Sequence, residues 1–369
     1  MPLTVPVIDR VHRSRSALLH SLDPQTWRSA VVTVETGNTA VASAVRVGLA
    51  VALVLVVGGL AGHRDVAGFA ALGALTSAFC RPDPCRVRLP RLVVTGVMVT
   101  GYVAFGAVLG AAGVSLAGEV VAIALAAGFA ALILGALRVV GPGPVVMVFA
   151  AAGAADFANS ADDVWKASTA AVIGAVVGVV ASLAPWFVMW VRRERPQPHP
   201  SPARASLVQE LKRIGDTELL SRSIRIVVAG GVAAGIVAAV GLQHPMWAAM
   251  GAVATLQGVN YHLTVTRGVQ RLLGNVGGAA IAAGLLALPI GYWGAVVLIA
   301  VLQVLAETLV TVNYALCSLL VTPMALMLTA LGAGLAPEVA VDRVLDTAIG
   351  VVIAVVLAAF TIAHHDATV

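Results

Sequence analysis

The chain is short of charge. Of its 369 residues only 11% are Asp, Glu, Lys or Arg, where soluble domains carry about a quarter. That shortage excludes an ordinary water-facing surface. Cysteine is scarce as well. Cys80, Cys85 and Cys317 give no disulfide framework, and the spacing in CRPDPC is not a zinc spacing. Catalytic signatures are missing too. There is no Walker A sequence, which argues against ATP-driven pumping by this chain alone, and no His-Glu-x-x-His or Gly-x-Ser-x-Gly. The eight histidines are scattered, with His364-His365 a weak metal pair at best. The expectation is therefore no enzyme, no catalytic residue, no metal and no cofactor.

Apolar residues fill the space left by charge. They make up 59% of the chain, with a mean hydropathy of +0.96. Val45–Ala61, Leu92–Ala112, Val120–Leu137, Ala170–Val191 and Val344–Ala363 are apolar runs near the length of a membrane span, about 18 residues or more. Barrel strands alternate polar and apolar positions, which these runs do not. The sequence predicts an all-α polytopic membrane protein in the lipid bilayer.

Twelve hydrophobic segments follow: 43–62, 66–79, 92–114, 117–138, 142–158 and 168–191, then 224–242, 246–260, 268–289, 291–310, 315–334 and 344–364. Before them stands a cytoplasmic segment, 1–42, with Arg10, Arg13, Arg15 and Arg28 but no signal-peptide pattern. Its Leu18, Leu19, Leu22 and Trp27 fit one apolar face of a helix lying on the membrane, or else a plain cytosolic tail. Between the blocks lies a basic, Pro-rich linker, 192–223, with one short helix from Ser206. Residues 365–369 form a tail.

Cytoplasmic loops collect Lys and Arg. With the N-terminus inside, all of the 23 basic residues except Arg64, Lys166 and Arg343 fall on one side. That predicts cytoplasmic N- and C-termini in a plasma membrane. It also explains the net charge of +5 without nucleic acid.

The chain repeats itself. FAALGALTS at Phe69–Ser77 returns as WAAMGAVAT at Trp247–Thr255. Arg46 and Arg225 are 179 apart, Phe69 and Trp247 178, Arg91 and Arg271 180, Pro144 and Pro323 179. Spacing this constant marks a duplication: two six-helix repeats, 43–191 and 224–364. The arginines keep their membrane face, so the repeats are parallel and their axis runs along the membrane normal.

Candidate site residues gather in the second repeat. Trp247 lies in a short segment, and short segments at matching places in two halves point to a transport site. Close helix packing is the other reading of its small residues. The pairs Gly106–Gly110, Gly174–Gly178, Gly231–Gly235 and Gly274–Gly278 are read as packing. A charge at mid-membrane costs roughly 2.5–3.5 kcal/mol, so Glu307 carries a proton, pairs with an arginine or braces the fold. Asn313, Tyr314 and Thr322 offer hydrogen bonds and a ring beside the helix-kinking Pro323, a set that suits an aromatic carboxylate; a kinked helix with no ligand is the other reading. Arg267, Arg271 and Asn275 share one helix face. They either attract an organic anion or only orient the chain. Arg343 and Asp346 are expected to pair, and Asp346 joins Glu307 as a proton-coupling candidate.

At these residues the chain resembles the fusaric acid resistance (FUSC) family, also called the aromatic acid exporter family. Arg225 with WAAMGAVAT, RLLGNVGG at Arg271–Gly278, ETLVTVNYALCSLLVTPMALM at Glu307–Met327 and VDRVLDTAIG at Val341–Gly350 carry the likeness. The first half departs from it: Val94 stands where the glycine would be, and no Asn-Tyr precedes Pro144. The resemblance implies a proton-driven exporter of aromatic carboxylic acids, here in a short form without large cytoplasmic domains. A small organic anion would be its substrate, and a homodimer is allowed. The distantly similar aluminium-activated malate transporters imply a passive anion channel as the alternative. A non-transporting scaffold for envelope partners is a third.

Overall fold

The computed structural model describes residues 5–32, 41–192, 206–258, 260–333 and 337–361. His364, His365 and the tail lie outside them. Two helices open the chain, α1 (Val5–Leu22) and α2 (Pro24–Val32). The first half contains α3 (Val41–Leu60), α4 (Ala67–Ala74), α5 (Cys85–Ala111), α6 (Leu116–Ala136), α7 (Val145–Phe157) and α8 (Ala161–Val191). The linker holds α9 (Leu207–Leu211). The second half contains α10 (Thr217–Ala239), α11 (Pro245–Thr255), α12 (Tyr261–Leu286), α13 (Gly291–Leu309), α14 (Tyr314–Ala333) and α15 (Val339–Phe360). No strand occurs among the described residues.

Every one of the twelve hydrophobic segments contains a helix, but among the described residues nine helices are long and apolar enough to cross a membrane. The other three, α4 with the 3-10 turn that follows it, α7 and α11, span 67–78, 145–157 and 245–255. At 1.5 Å per residue they reach roughly 16–20 Å, short of the ~30 Å hydrocarbon core. Local chemistry stops each one. Cys80, at φ 55°, and Pro82 and Pro84 follow the first. Gly141-Pro-Gly-Pro144 precedes the second. Pro245 opens the third at a position where a missing N–H costs nothing.

The helix pairings of the two halves correspond. α5 packs on α7 and α8, α4 on α8, and α3 on α4 and α8. In the second half α12 packs on α14 and α15, α11 on α15, and α10 on α11 and α15. Across the halves, α3 meets α13 and α10 meets α6. Small residues make these approaches possible. A Cβ on Gly106 would lie 1.9 Å from the Ala151 carbonyl, one on Gly174 1.9 Å from Ala70 O, and one on Gly350 2.2 Å from Ala248 O. Gly274 and Gly278 press on Ala315 and Leu319 in the same way. Gly231 and Gly235 do not: a Cβ on Gly235 would meet nothing within 4 Å. At the seams between halves the contact is exchanged. Gly48 of α3 receives Val304 of α13, and Gly128 of α6 receives Val227 of α10.

The segments that precede each half pack under the helix bundle. α1 and α2 lie on α15 and α12. Ser14 Oγ donates to Ala359 O at 3.0 Å, the Tyr261 hydroxyl to Ala17 O at 2.6 Å and Gln270 Nε2 to Ala30 O at 2.8 Å. Leu18 and Trp27 pack into this contact, while Leu19 and Leu22 are exposed. The four do not share one face, because the chain turns between α1 and α2. α9 starts at Ser206 as expected, fixed by a capping box with Gln209, and rests on α6.

Candidate functional site

Helix α12 places Arg267, Arg271 and Asn275 one turn apart on one face. Arg267 Nε donates to Ala254 O at 3.0 Å and Nη2 to Gln257 Oε1 at 3.1 Å, and its guanidinium lies 4.2 Å from the Tyr314 ring centroid. Arg271 is buried. Its Nη1 donates to the Tyr314 hydroxyl at 3.0 Å, and its Nε has no hydrogen-bond partner within the protein. Asn275, 1% exposed, donates to Thr322 Oγ1 at 3.3 Å and leaves its carbonyl oxygen without a partner. An unpartnered buried polar group costs about 1–3 kcal/mol, and this face carries two, Arg271 Nε and the Asn275 carbonyl oxygen.

α14 supplies the opposite wall. Thr322 Oγ1 donates to Ser318 O at 2.8 Å, and Ser318 Oγ donates to Arg271 O at 3.2 Å. Pro323 frees the Leu319 carbonyl, on which Gly278 packs. Asn313 is spent on the fold: its Nδ2 donates to Val31 O at 3.2 Å and its Oδ1 caps the Ala315 N–H at 2.7 Å.

Glu307 stands at the seam between the halves. Its carboxylate accepts from Gln303 Nε2 at 3.0 Å and pairs with Arg81 at 3.1 Å; Arg81 also reaches the Glu307 carbonyl at 3.3 Å. Of the three expectations for this residue, pairing with an arginine is the arrangement found. Arg267 and Arg271 thus meet on Tyr314, while Arg81 meets Glu307.

A second group lies between α11 and α15. Trp247 stacks on His244 with centroids 4.1 Å apart and planes 8° apart, and the Arg343 guanidinium lies 4.9 Å from the Trp247 ring centroid. Arg343 and Asp346 do not form the expected ion pair, because Arg343 is drawn over the indole. Asp346 is fully buried and neither carboxylate oxygen has a hydrogen-bond partner; Arg343 Nε and Thr347 Oγ1 are alike in this. His244 faces Asp342 at 3.7 Å. Burial lowers its pKa from the ordinary 6.5, aided by Arg343 and opposed by Asp342.

The structure therefore gathers Arg267, Arg271, Asn275, Tyr314 and Thr322, sets Trp247 with His244 and Arg343, leaves Asp346 buried without a hydrogen-bond partner, and holds Glu307 and Asn313 in bracing contacts. Gln257, His244, Arg81 and Gln303 were not foreseen. No pattern marks a neutral glutamine, or a partner 226 residues away in the chain. Among the described residues no group of three or more His, Cys, Asp or Glu could hold a metal.

Fold and site define a polytopic helical membrane protein with arginines gathered around the buried Arg271. Residues 232–357 match the family model described as fusaric acid resistance protein-like. The match supports membership of that family through roughly a third of the chain, and it contains all ten residues foreseen for the site. The match supports a role in membrane transport or efflux in broad terms. No curated protein matches the chain, and no solved structure does.

Proposed function

We propose that the protein is a proton-coupled secondary exporter of small aromatic carboxylates, with its site in the second half. The observation that carries this reading is the buried Arg271, whose Nε lacks a partner beside the equally unpartnered Asn275 carbonyl. A guanidinium presents forked N–H donors that match a carboxylate, and the Asn275 oxygen suits a hydroxyl or amide on the same ligand. Tyr314 and Trp247 offer rings, and Arg267 with Arg271 attracts the anion. Asp346 fits the coupling proton better than Glu307. A buried carboxylate without a partner is stable when neutral, whereas Glu307 is held by Arg81 and Gln303.

We read the architecture as twelve hydrophobic segments in two parallel repeats, three of them too short to cross alone, with both termini cytoplasmic in a plasma membrane. The matching helix pairings and the exchanged Gly–Val contacts at the seams support the repeats. The distribution of basic residues supports the orientation.

Proteoliposomes with an imposed pH gradient and labelled benzoate test the function. Uphill flux that collapses with the gradient is expected. Flux that follows only the benzoate gradient would make the protein a channel, and no flux from folded protein would make it a scaffold.

A further inference from the structure

Arg91 and Arg271 stand 180 residues apart on corresponding long helices, α5 and α12, and both are buried. Their nitrogens meet different fates. Arg271 has one donor on Tyr314 and a free Nε. Arg91 has all three nitrogens engaged: Nε donates to Leu137 O at 3.3 Å, Nη1 to Val87 O at 3.1 Å and Nη2 to Glu210 Oε2 at 2.5 Å.

Glu210 is not part of either helix bundle. It belongs to α9 of the linker, anchored by its Ser206–Gln209 capping box. Its side chain is 4% exposed and that of Arg91 2%. Burying a carboxylate this far is costly unless its partner is close and well aligned. The linker is thus shaped to deliver one carboxylate to one arginine.

We propose that Glu210 is a tethered occupant of an anion site in the first half. The linker supplies to Arg91 the carboxylate that Arg271 is left to receive from a ligand. This rests on the reading of Arg271 as an anion site. While α9 is docked the first half is closed to ligands. With Glu210 removed, Arg91 takes a small free carboxylate such as formate or acetate. It does not take an aromatic one, because Gly135 and Thr95 stand 179 and 180 residues before Tyr314 and Asn275, leaving no ring and no amide. Thr95 Oγ1 is already bonded to Arg91 O at 2.8 Å.

The test uses the full chain in detergent, carrying Arg271→Gln so that acetate cannot report on the second half. Adding Glu210→Ala is expected to lower Tm by about 5–10 °C, the scale of a broken buried pair. Acetate or formate should restore most of that loss saturably, and acetamide and chloride should not. Adding Arg91→Gln should abolish the rescue. Should the alanine variant fail to fold in acetate-free buffer, the yield of monodisperse protein made with and without acetate gives the same comparison. Glu210→Gln, which fills the space without charge, should show no acetate dependence. Rescue by no carboxylate, or equal rescue by acetamide, would reduce Glu210 to a structural latch and overturn the proposal. Loss of benzoate transport in the otherwise unaltered chain would instead sink the functional reading, and the acetate rescue would stand.

Discussion

The two halves share a packing scheme and differ in what they bury. In the first, α4 meets α8 through Ala70 against Gly174 and Gly73 against Ala171. In the second, α11 meets α15 through Ala248 against Gly350 and Gly251 against Thr347. The paired positions are 178 and 176 residues apart, so the contact is the same contact. At those offsets Trp247 corresponds to Phe69 and His244 to Val66, while Arg343, Asp346 and Thr347 correspond to Ala167, Ala170 and Ala171. Close helix approach survives in both halves because a added Cβ at the glycines would collide with backbone. At this contact the buried polar groups stand in the second half alone, and alanines take their places in the first.

Removing the buried carboxylate specific to the second half should give the largest effect. Asp346→Asn is expected to abolish the dependence of benzoate export on the pH gradient while downhill flux persists; Glu307→Gln should keep the dependence. Export that stays gradient-driven in Asp346→Asn would remove that residue from coupling.

Next comes the pair specific to the first half. Arg91→Gln strands the buried Glu210 and should cost about 3–5 kcal/mol of stability, measured by denaturant unfolding in detergent, with benzoate affinity unchanged.

Packing comes third. Gly174→Val and Gly350→Val should each lose about 1–3 kcal/mol or more, alike in the two halves, since each added Cβ would lie close to a backbone carbonyl. Gly235→Ala should cost nothing and gain a few tenths of a kcal/mol from helix propensity. A large gap between Gly174→Val and Gly350→Val would break the correspondence.

The smallest effect concerns His244, which has only Val66 as its counterpart. Its folded pKa lies below the ordinary 6.5. Between those two values the unfolded chain binds a proton that the folded chain does not. Stability is thus complete above about pH 6.5 and declines as the pH falls toward the folded pKa. His244→Phe should flatten that decline in a thermal-melt series from pH 7.5 to 5.

The apolar runs located every helix of the bundle, yet several helices begin earlier than their apolar windows. α5 starts at Cys85, not 92, and α12 at Tyr261, not 268. Their first two turns carry Arg86, Arg88 and Arg267, which a hydropathy window rejects and a helix end accepts. The α12 face was legible because Arg267, Arg271 and Asn275 are spaced by four. The partners of Arg81 and Arg91 were not, because Glu307 and Glu210 reach them across 226 and 119 residues of chain, and no local period records such a meeting. The Arg343–Asp346 spacing did mislead: three residues apart on a helix permits an ion pair, but the Trp247 ring claims the guanidinium.

Binding of labelled benzoate to the purified chain tests the division between halves most directly. One benzoate per chain is expected, with affinity falling at least tenfold in Arg271→Gln and unchanged in Arg91→Gln. Two benzoates per chain, or a loss that follows Arg91 instead of Arg271, would contradict it.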